Sequence, residues 1–318
     1  MNAITDVPGY RITEQLYAGS RTLVYRGVRE SDRTPVVIKM LRNEYPNFSE
    51  LVHFRNQYII AKNLNLPSIV KPFDLAHYKN AYALIMEDFG GVSLSTYLKV
   101  ATDQNQPHKS GYLESFLNKA LQLAEILHYL YQNRVIHKDI KSANILIHPE
   151  TKQVKLIDFS IASLLPRETQ EIHNPNVLEG TLAYISPEQT GRMNRGVDYR
   201  TDFYSLGVTL YELLTGKLPF ECDDPMELIH CHIAKQPPSI NTEEIPQVVS
   251  DIVMKLMAKN AEKRYQSALG LKHDLERCLQ QCQETGNIET FELGTRDVCD
   301  RFLIPESFMV EKQKYKPC

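Results

Sequence analysis

The rhythm of polar and apolar positions changes near residue 90. Before it, short alternating or β-branched runs dominate. Arg11-Ile12-Thr13-Glu14-Gln15-Leu16, Thr22-Leu23-Val24-Tyr25-Arg26-Gly27 and Thr34-Pro35-Val36-Val37-Ile38-Lys39 each predict a strand. Pro35 stands at the entrance of the third, where its missing N–H does least harm to a ladder. Ala81-Tyr82-Ala83-Leu84-Ile85-Met86 predicts a buried strand. One helix interrupts them, over residues 49–63, with Phe54, Ile59 and Ile60 at helical spacing and Ser49 as the expected N-cap. Glu87-Asp88-Phe89-Gly90-Gly91 follows, and its paired glycines predict a linker.

After Val92 the period becomes helical. Leu117, Leu121, Ala124, Leu127 and Tyr131 recur every three or four residues between Glu114 and Asn133. Residues 201–215 form a compact apolar run closed by Gly216, with Pro219 beyond, a strong helix stop. Residues 246–259 and 267–282 predict two further amphipathic helices. The expected architecture is α+β in two lobes: a small β-rich lobe over 10–86, a hinge at 87–91 and a helical lobe over 92–282. Residues 1–9 read as an N-terminal extension. Residues 283–318 are polar and weakly periodic and predict a linker-like tail outside the core.

Composition narrows the function classes. A chain of 318 residues can bury a large core. A net charge of −3 gives no reason to expect nucleic acid as a partner. No apolar run approaches the ~20 residues of a membrane span, and the first residues lack the features of a signal peptide. The six cysteines form no CxxC pair, and nothing joins Cys278 and Cys282 in a zinc set, so reduced thiols in the cytoplasm are expected.

The candidate chemistry sits in His137-Lys138-Asp139-Ile140-Lys141-Ser142-Ala143-Asn144. Asp139 can accept a hydroxyl proton, Lys141 can neutralise a migrating phosphate, and the Asn144 amide oxygen can bind magnesium. Downstream, Lys155-Leu156-Ile157-Asp158-Phe159-Ser160 ends an apolar run in a carboxylate, a second candidate metal ligand.

These two stretches resemble the catalytic loop and the Asp-Phe-Gly motif of the eukaryotic-type protein kinases. The resemblance covers about residues 10–277 and implies a two-lobed protein kinase fold, with a kinase domain over 10–282. It implies Asp139 and Lys141 as catalytic, and Asn144 and Asp158 as ligands of Mg2+, with Mn2+ as an alternative. It implies an ATP site formed by Lys39, Val24, Val37, Met86, Leu146 and the backbone of Glu87 to Phe89. Gly180-Thr181 through Ser186-Pro187-Glu188 is similar to the end of an activation segment. From it, Thr181 is expected at Asp139 and Lys141, and Glu188 at Arg264, while Asp202 would hold the loop around His137 from below. Lys141 and the Gly180-Thr181 pair match kinases that act on serine and threonine of protein substrates.

Three features depart from the family pattern. Of the three glycine positions over the phosphates, filled by Tyr17, Gly19 and Thr22, only Gly19 is glycine, so the N–H groups of Ser20 and Arg21 would have to serve. Gln57 stands where a helix glutamate would pair with Lys39, and Glu50 lies about 10 Å away along the helix axis. Lys138 replaces an arginine and Ser160 a glycine. An alternative therefore stands beside the active enzyme: a pseudokinase acting as a nucleotide-binding regulatory module. Finally, residues 64–70, 86–91, Thr190-Gly191-Arg192-Met193-Asn194-Arg195 and 293–305 resemble bacterial Hanks-type kinases that head large kinase–ATPase–GAF–histidine kinase signalling proteins. That resemblance implies downstream signalling domains or a histidine kinase as partners.

Overall fold

The computed structural model describes residues 7–103, 111–164, 180–193, 195–240 and 245–298, with only the backbone described at 101–103. Five antiparallel strands build the first lobe: β1 (Tyr10–Ala18), β2 (Thr22–Arg29), β3 (Pro35–Leu41), β4 (Pro72–Tyr78) and β5 (Ala81–Glu87), in the order β1-β2-β3-β5-β4. Strand periodicity gives β3 two faces. Val36, Ile38 and Met40 are buried with Val7, Ala83 and Ile85 on one. Val37, Lys39 and Leu41 lie on the other. There α1 (Phe48–Asn63) closes a second small core through Phe54, with Val70, Leu84 and Met86. The edge strand β4, which carries a bulge between Pro72 and Asp74, has no clean alternation and escapes a sequence reading.

Helix α1 begins one residue before the expected start, and its N-cap is Asn47 rather than Ser49. The reason is a reciprocal capping box: Asn47 Oδ1 accepts from Glu50 N and Glu50 Oε2 accepts from Asn47 N, both at 2.9 Å. Two orphan donors are satisfied at once, which a cap at Ser49 would not achieve.

The second lobe holds β6 (Val92–Ser93), α2 (Leu94–Asp103), α3 (Tyr112–Gln132), β7 (Val135–Ile136), β8 (Ile145–Ile147), β9 (Val154–Leu156), β10 (Ser163–Leu164), α4 (Arg200–Thr215), α5 (Pro225–Ala234), α6 (Gln247–Leu256) and α7 (Ala268–Thr285). Its core is one large cluster centred on α3, α4, α6 and α7. Helix α4 is buried along nearly its whole length and stops at Gly216, whose φ of 70° is the left-handed cap expected from sequence. Helix α6 ends earlier than the expected Lys259. The carbonyls of Ala258 and Lys259 are instead taken by the Arg264 guanidinium, which turns the chain away.

The expected linker is corrected over residues 286–298. Ile288 is buried, and Phe291 and Leu293 pack against the main core. Asp297 accepts from Gln266 N (2.7 Å), Ser267 N (2.8 Å) and Ser267 Oγ (2.9 Å), so it pins this strap beneath the start of α7. A polar sequence concealed these contacts because only three apolar side chains carry the packing. Residues 1–6, Asn194 and 299–318, with Cys299 and Cys318, lie outside the described residues. Cys222, Cys231, Cys278 and Cys282 are free thiols. Among the described residues no helix is long and apolar enough to cross a membrane.

Candidate active site

The loop between β7 and β8 brings Asp139, Lys141 and Asn144 together. Lys141 Nζ donates to Asp139 Oδ2 at 2.6 Å and to Thr181 Oγ1 at 2.5 Å. Thr181 donates to Asp139 Oδ1 from its backbone N (3.0 Å) and its hydroxyl (2.8 Å). Asn144 Nδ2 donates to Asp139 O and Oδ2, both at 2.9 Å. The Asp139 carboxylate therefore accepts four bonds and is fixed in orientation. Asn144 commits both amide hydrogens to Asp139, which leaves its amide oxygen as a donor atom for a cation.

Pairing of β8 with β9 places Asp158 beside this loop, and Ile157 N donates to Asn144 O at 2.9 Å. Asp158 has a φ of 68°, a conformation that costs a residue with a Cβ roughly 1–2 kcal/mol. Lys138 is strained likewise at 66°. Asp158 Oδ2 accepts from Lys39 Nζ at 2.9 Å. Burial by itself would raise the Asp158 pKa, but the Lys39 charge and hydrogen bond, helped by the Ser160 hydroxyl, outweigh it and hold the carboxyl at about 2. Asp158 Oδ1 is buried and has no hydrogen-bond partner. A buried, ionised oxygen without a partner is costly, and a divalent cation would satisfy it. The Asp158 and Asn144 oxygens thus fit a magnesium site completed by water and phosphate oxygens.

Gln57 does meet Lys39: its Oε1 accepts from Nζ at 2.9 Å. Lys39 has three N–H groups, and two are now used, which leaves one for a phosphate. Glu50 serves the helix cap and takes no part. In the sheet Val24 stands opposite Lys39, so Val24, Lys39 and Val37 share the face that looks onto the cleft. Val37, Met86 and Leu146 join one apolar cluster, and Met86 lines a small cavity with Gln57, Asp158 and Phe159 at the back of the cleft. Gly19 caps the β1–β2 turn, its N bonded to Thr22 O at 2.9 Å. Arg42 clasps the turn through Gly19 O, also at 2.9 Å. A Cβ at Gly19 would collide with the Tyr17 ring, so this position has room only for glycine while that ring holds its place. Ser20 is exposed at the turn.

Glu87 N donates to Lys71 O at 3.0 Å, so this N–H is not available to adenine. The Glu87 side chain braces the hinge by accepting from Lys71 N (2.8 Å) and Lys155 Nζ (2.6 Å). Lys155 also lies over the Phe89 ring, 4.8 Å from its centroid. Arg26 Nε donates to Asp88 Oδ2 at 2.7 Å and ties β2 to the hinge. Sequence reasoning missed Lys155 and Arg26, and nothing in their local patterns signals them.

Beneath the loop, Asp202 accepts from His137 N and Lys138 N, both at 2.8 Å. Burial raises the Asp202 pKa against the pull of those partners. His137 Nε2 lies 3.0 Å from Ile157 O, and its ring meets Phe159 edge-on at 4.8 Å. Lower still, Arg264 binds Glu188 through two nitrogens, at 2.7 and 2.8 Å. Its remaining donors go to the carbonyls of Ala258, Lys259 and Arg200. All five guanidinium N–H groups are satisfied, and Thr201 Oγ1 donates to Glu188 Oε1 at 2.9 Å.

The family model of the protein kinase domain matches residues 10–275. The serine/threonine-protein kinase PrkC of Bacillus subtilis is 32% identical over 272 residues, which cover 84% of this chain and 40% of that protein. The serine/threonine-protein kinase PknB of Mycobacterium leprae is 35% identical over 251 residues, 76% of this chain and 38% of that protein. The chain thus spans about two fifths of the length of these relatives.

Proposed function

The chain belongs to the protein kinase domain family, and from that premise we propose that it transfers the γ-phosphoryl group of ATP to serine or threonine hydroxyls of protein substrates. The observation that carries the reading is the bond set on Asp139, which joins a candidate base, a phosphate-neutralising lysine and a metal-ligand amide within one loop. Asp139 accepts the hydroxyl proton of the substrate as the new O–P bond forms and the bond from the γ-phosphorus to the bridging oxygen breaks, with ADP as the leaving group. Lys141 spreads its charge over the phosphoryl oxygens in flight. Lys39 holds the α- and β-phosphates with its remaining N–H, under a roof of Val24 and Val37 and above Leu146. Asn144 and Asp158 would hold Mg2+, or Mn2+ in its place, which supplies charge neutralisation between the phosphates. Thr181 and Lys141 together favour an aliphatic hydroxyl acceptor, in line with the serine/threonine kinases that the chain resembles.

The kinase domain is read as residues 10–282, and the cytoplasm as its place of action. The segments 190–195 and 293–305 support a setting beside downstream signalling domains or a histidine kinase partner, as the resemblance to the large multidomain proteins implies. The test is incubation with γ-labelled ATP, magnesium and a protein acceptor, comparing the chain with Asp139→Asn. Label in serine and threonine that disappears in the variant is expected. Equal labelling of both would sink the assignment of Asp139. Nucleotide binding without transfer in the unaltered chain would turn the reading to a pseudokinase.

A further inference from the structure

Asn56 and Gln57 are neighbours on α1, and adjacent helical residues point about 100° apart. Their amides therefore reach different parts of the cleft. Gln57 meets Lys39, whereas Asn56 Nδ2 turns to the segment that follows Asp158. It donates to Ser160 O at 3.1 Å and to Ala162 O at 2.9 Å. An amide nitrogen carries two hydrogens, and both are used. Both acceptors are backbone carbonyls, so the contact does not depend on the side chains at 160 and 162. The segment is itself a turn, with Ala162 N donating to Phe159 O at 3.3 Å and Phe159 buried below it.

We propose that Asn56 is a positioning residue: a neutral latch that couples α1 to the segment carrying the Asp158 metal ligand, in place of the ion pair that Gln57 cannot form. The inference deepens the kinase reading above and rests on it for its catalytic consequence. Gln57 offers Lys39 one bond without a countercharge, and the same nitrogen is shared with Asp158. Phosphates and a cation compete for Lys39 and Asp158, so that corner alone holds α1 weakly once ATP is bound. The carbonyls of Ser160 and Ala162 make no such competing contacts, and the Asn56 latch persists. Being uncharged, it needs no phosphorylated partner and is little affected by salt.

Two variants of the full chain test this. Asn56→Asp has the same shape but turns a carboxylate toward two carbonyl oxygens; Asn56→Leu removes the donors without adding charge. With ATP, magnesium and casein as acceptor, kcat should fall about tenfold in both, the scale of two lost hydrogen bonds. KM for ATP should change less than about threefold, because adenine is held by the hinge, which Asn56 does not touch. Adding Gln57→Glu to Asn56→Leu should restore most of the lost kcat, because a charged bond to Lys39 holds α1 by the other route. Amide hydrogen exchange at Ala162 should accelerate about tenfold in Asn56→Leu while α4 keeps the rates of the unaltered chain. Unchanged kcat in both variants would overturn the proposal. So would a loss that merely follows the thermal midpoint and is not rescued by Gln57→Glu. If the unaltered chain transfers no phosphate, the kinase reading falls, and exchange at Ala162 decides whether the latch exists.

Discussion

The corner around Lys39 and the base around Arg264 solve the same problem, a charge held inside a protein, in opposite ways. At the corner, Lys39 makes one contact to a neutral amide and one to a carboxylate, keeps a donor in reserve, and faces a carboxylate whose second oxygen is unmet. At the base, Arg264 and Glu188 are almost wholly buried, and every guanidinium donor is engaged. On the proposed reading, the corner is incomplete because ATP and a cation would enter it. The base is complete because nothing enters it, and it must hold the loop above in a strained shape. Among the described residues two buried side-chain atoms lack a partner, Asp158 Oδ1 at the corner and His232 Nε2 behind α4, so an unmet group points to the site only where, as at Asp158, it stands beside the other candidate residues.

The largest effect is expected at the corner. Asp158→Ala should reduce phosphoryl transfer to background, since it removes the carboxylate proposed to hold the metal. Activity equal to the unaltered chain in a metal-controlled assay would break the comparison outright.

At the base, Arg264→Ala should cost about 3–5 kcal/mol of stability, because Glu188 is left buried and unpaired. Arg264→Lys should recover little, since an ammonium cannot fill five directions in a plane. Urea unfolding measures both, and an unmoved midpoint would show that the base is not the support described here.

A smaller effect sharpens the picture with pH. His232 is fully buried behind α4, with Nδ1 3.0 Å from Tyr204 OH. Burial, reinforced by the charge of Lys259, lowers its pKa from 6.5 to about 4. The unfolded chain therefore binds this proton first as pH falls. Its contribution is fully present above pH 6.5 and is lost progressively toward pH 4, by roughly 3 kcal/mol in all. Thermal midpoints taken from pH 7 to pH 4 should show the slope, and His232→Gln should flatten it. A variant that keeps the full slope would assign the effect elsewhere.

The smallest change is Gln57→Glu. A carboxylate in place of the amide oxygen 2.9 Å from Lys39 turns a bond charged on the donor alone into an ion pair charged on both partners. Turnover should hold or rise by up to about threefold. A marked loss, with the fold intact, would mean that the amide itself is needed and that this corner is rebuilt rather than weakened.

The sequence by itself determined the two lobes, the hinge between them and the meeting of Asp139, Lys141, Asn144 and Asp158 at one site. It could do so because those residues lie in two short runs whose side-chain types and spacing are tied to local loops. It also placed Gln57 opposite Lys39, by counting along a helix whose period is fixed. The packed strap over 286–298, the Arg26–Asp88 tie and the Asn56 latch were decided only by tertiary structure, whereas the cap at Asn47 is a local box with Glu50 that a closer reading of the sequence could have found. The latch joins residues more than a hundred positions apart, and Arg26–Asp88 spans 62. No local period encodes such a meeting. It arises when two elements pack for apolar reasons and leave polar groups that must find partners, and which groups meet depends on the assembled geometry.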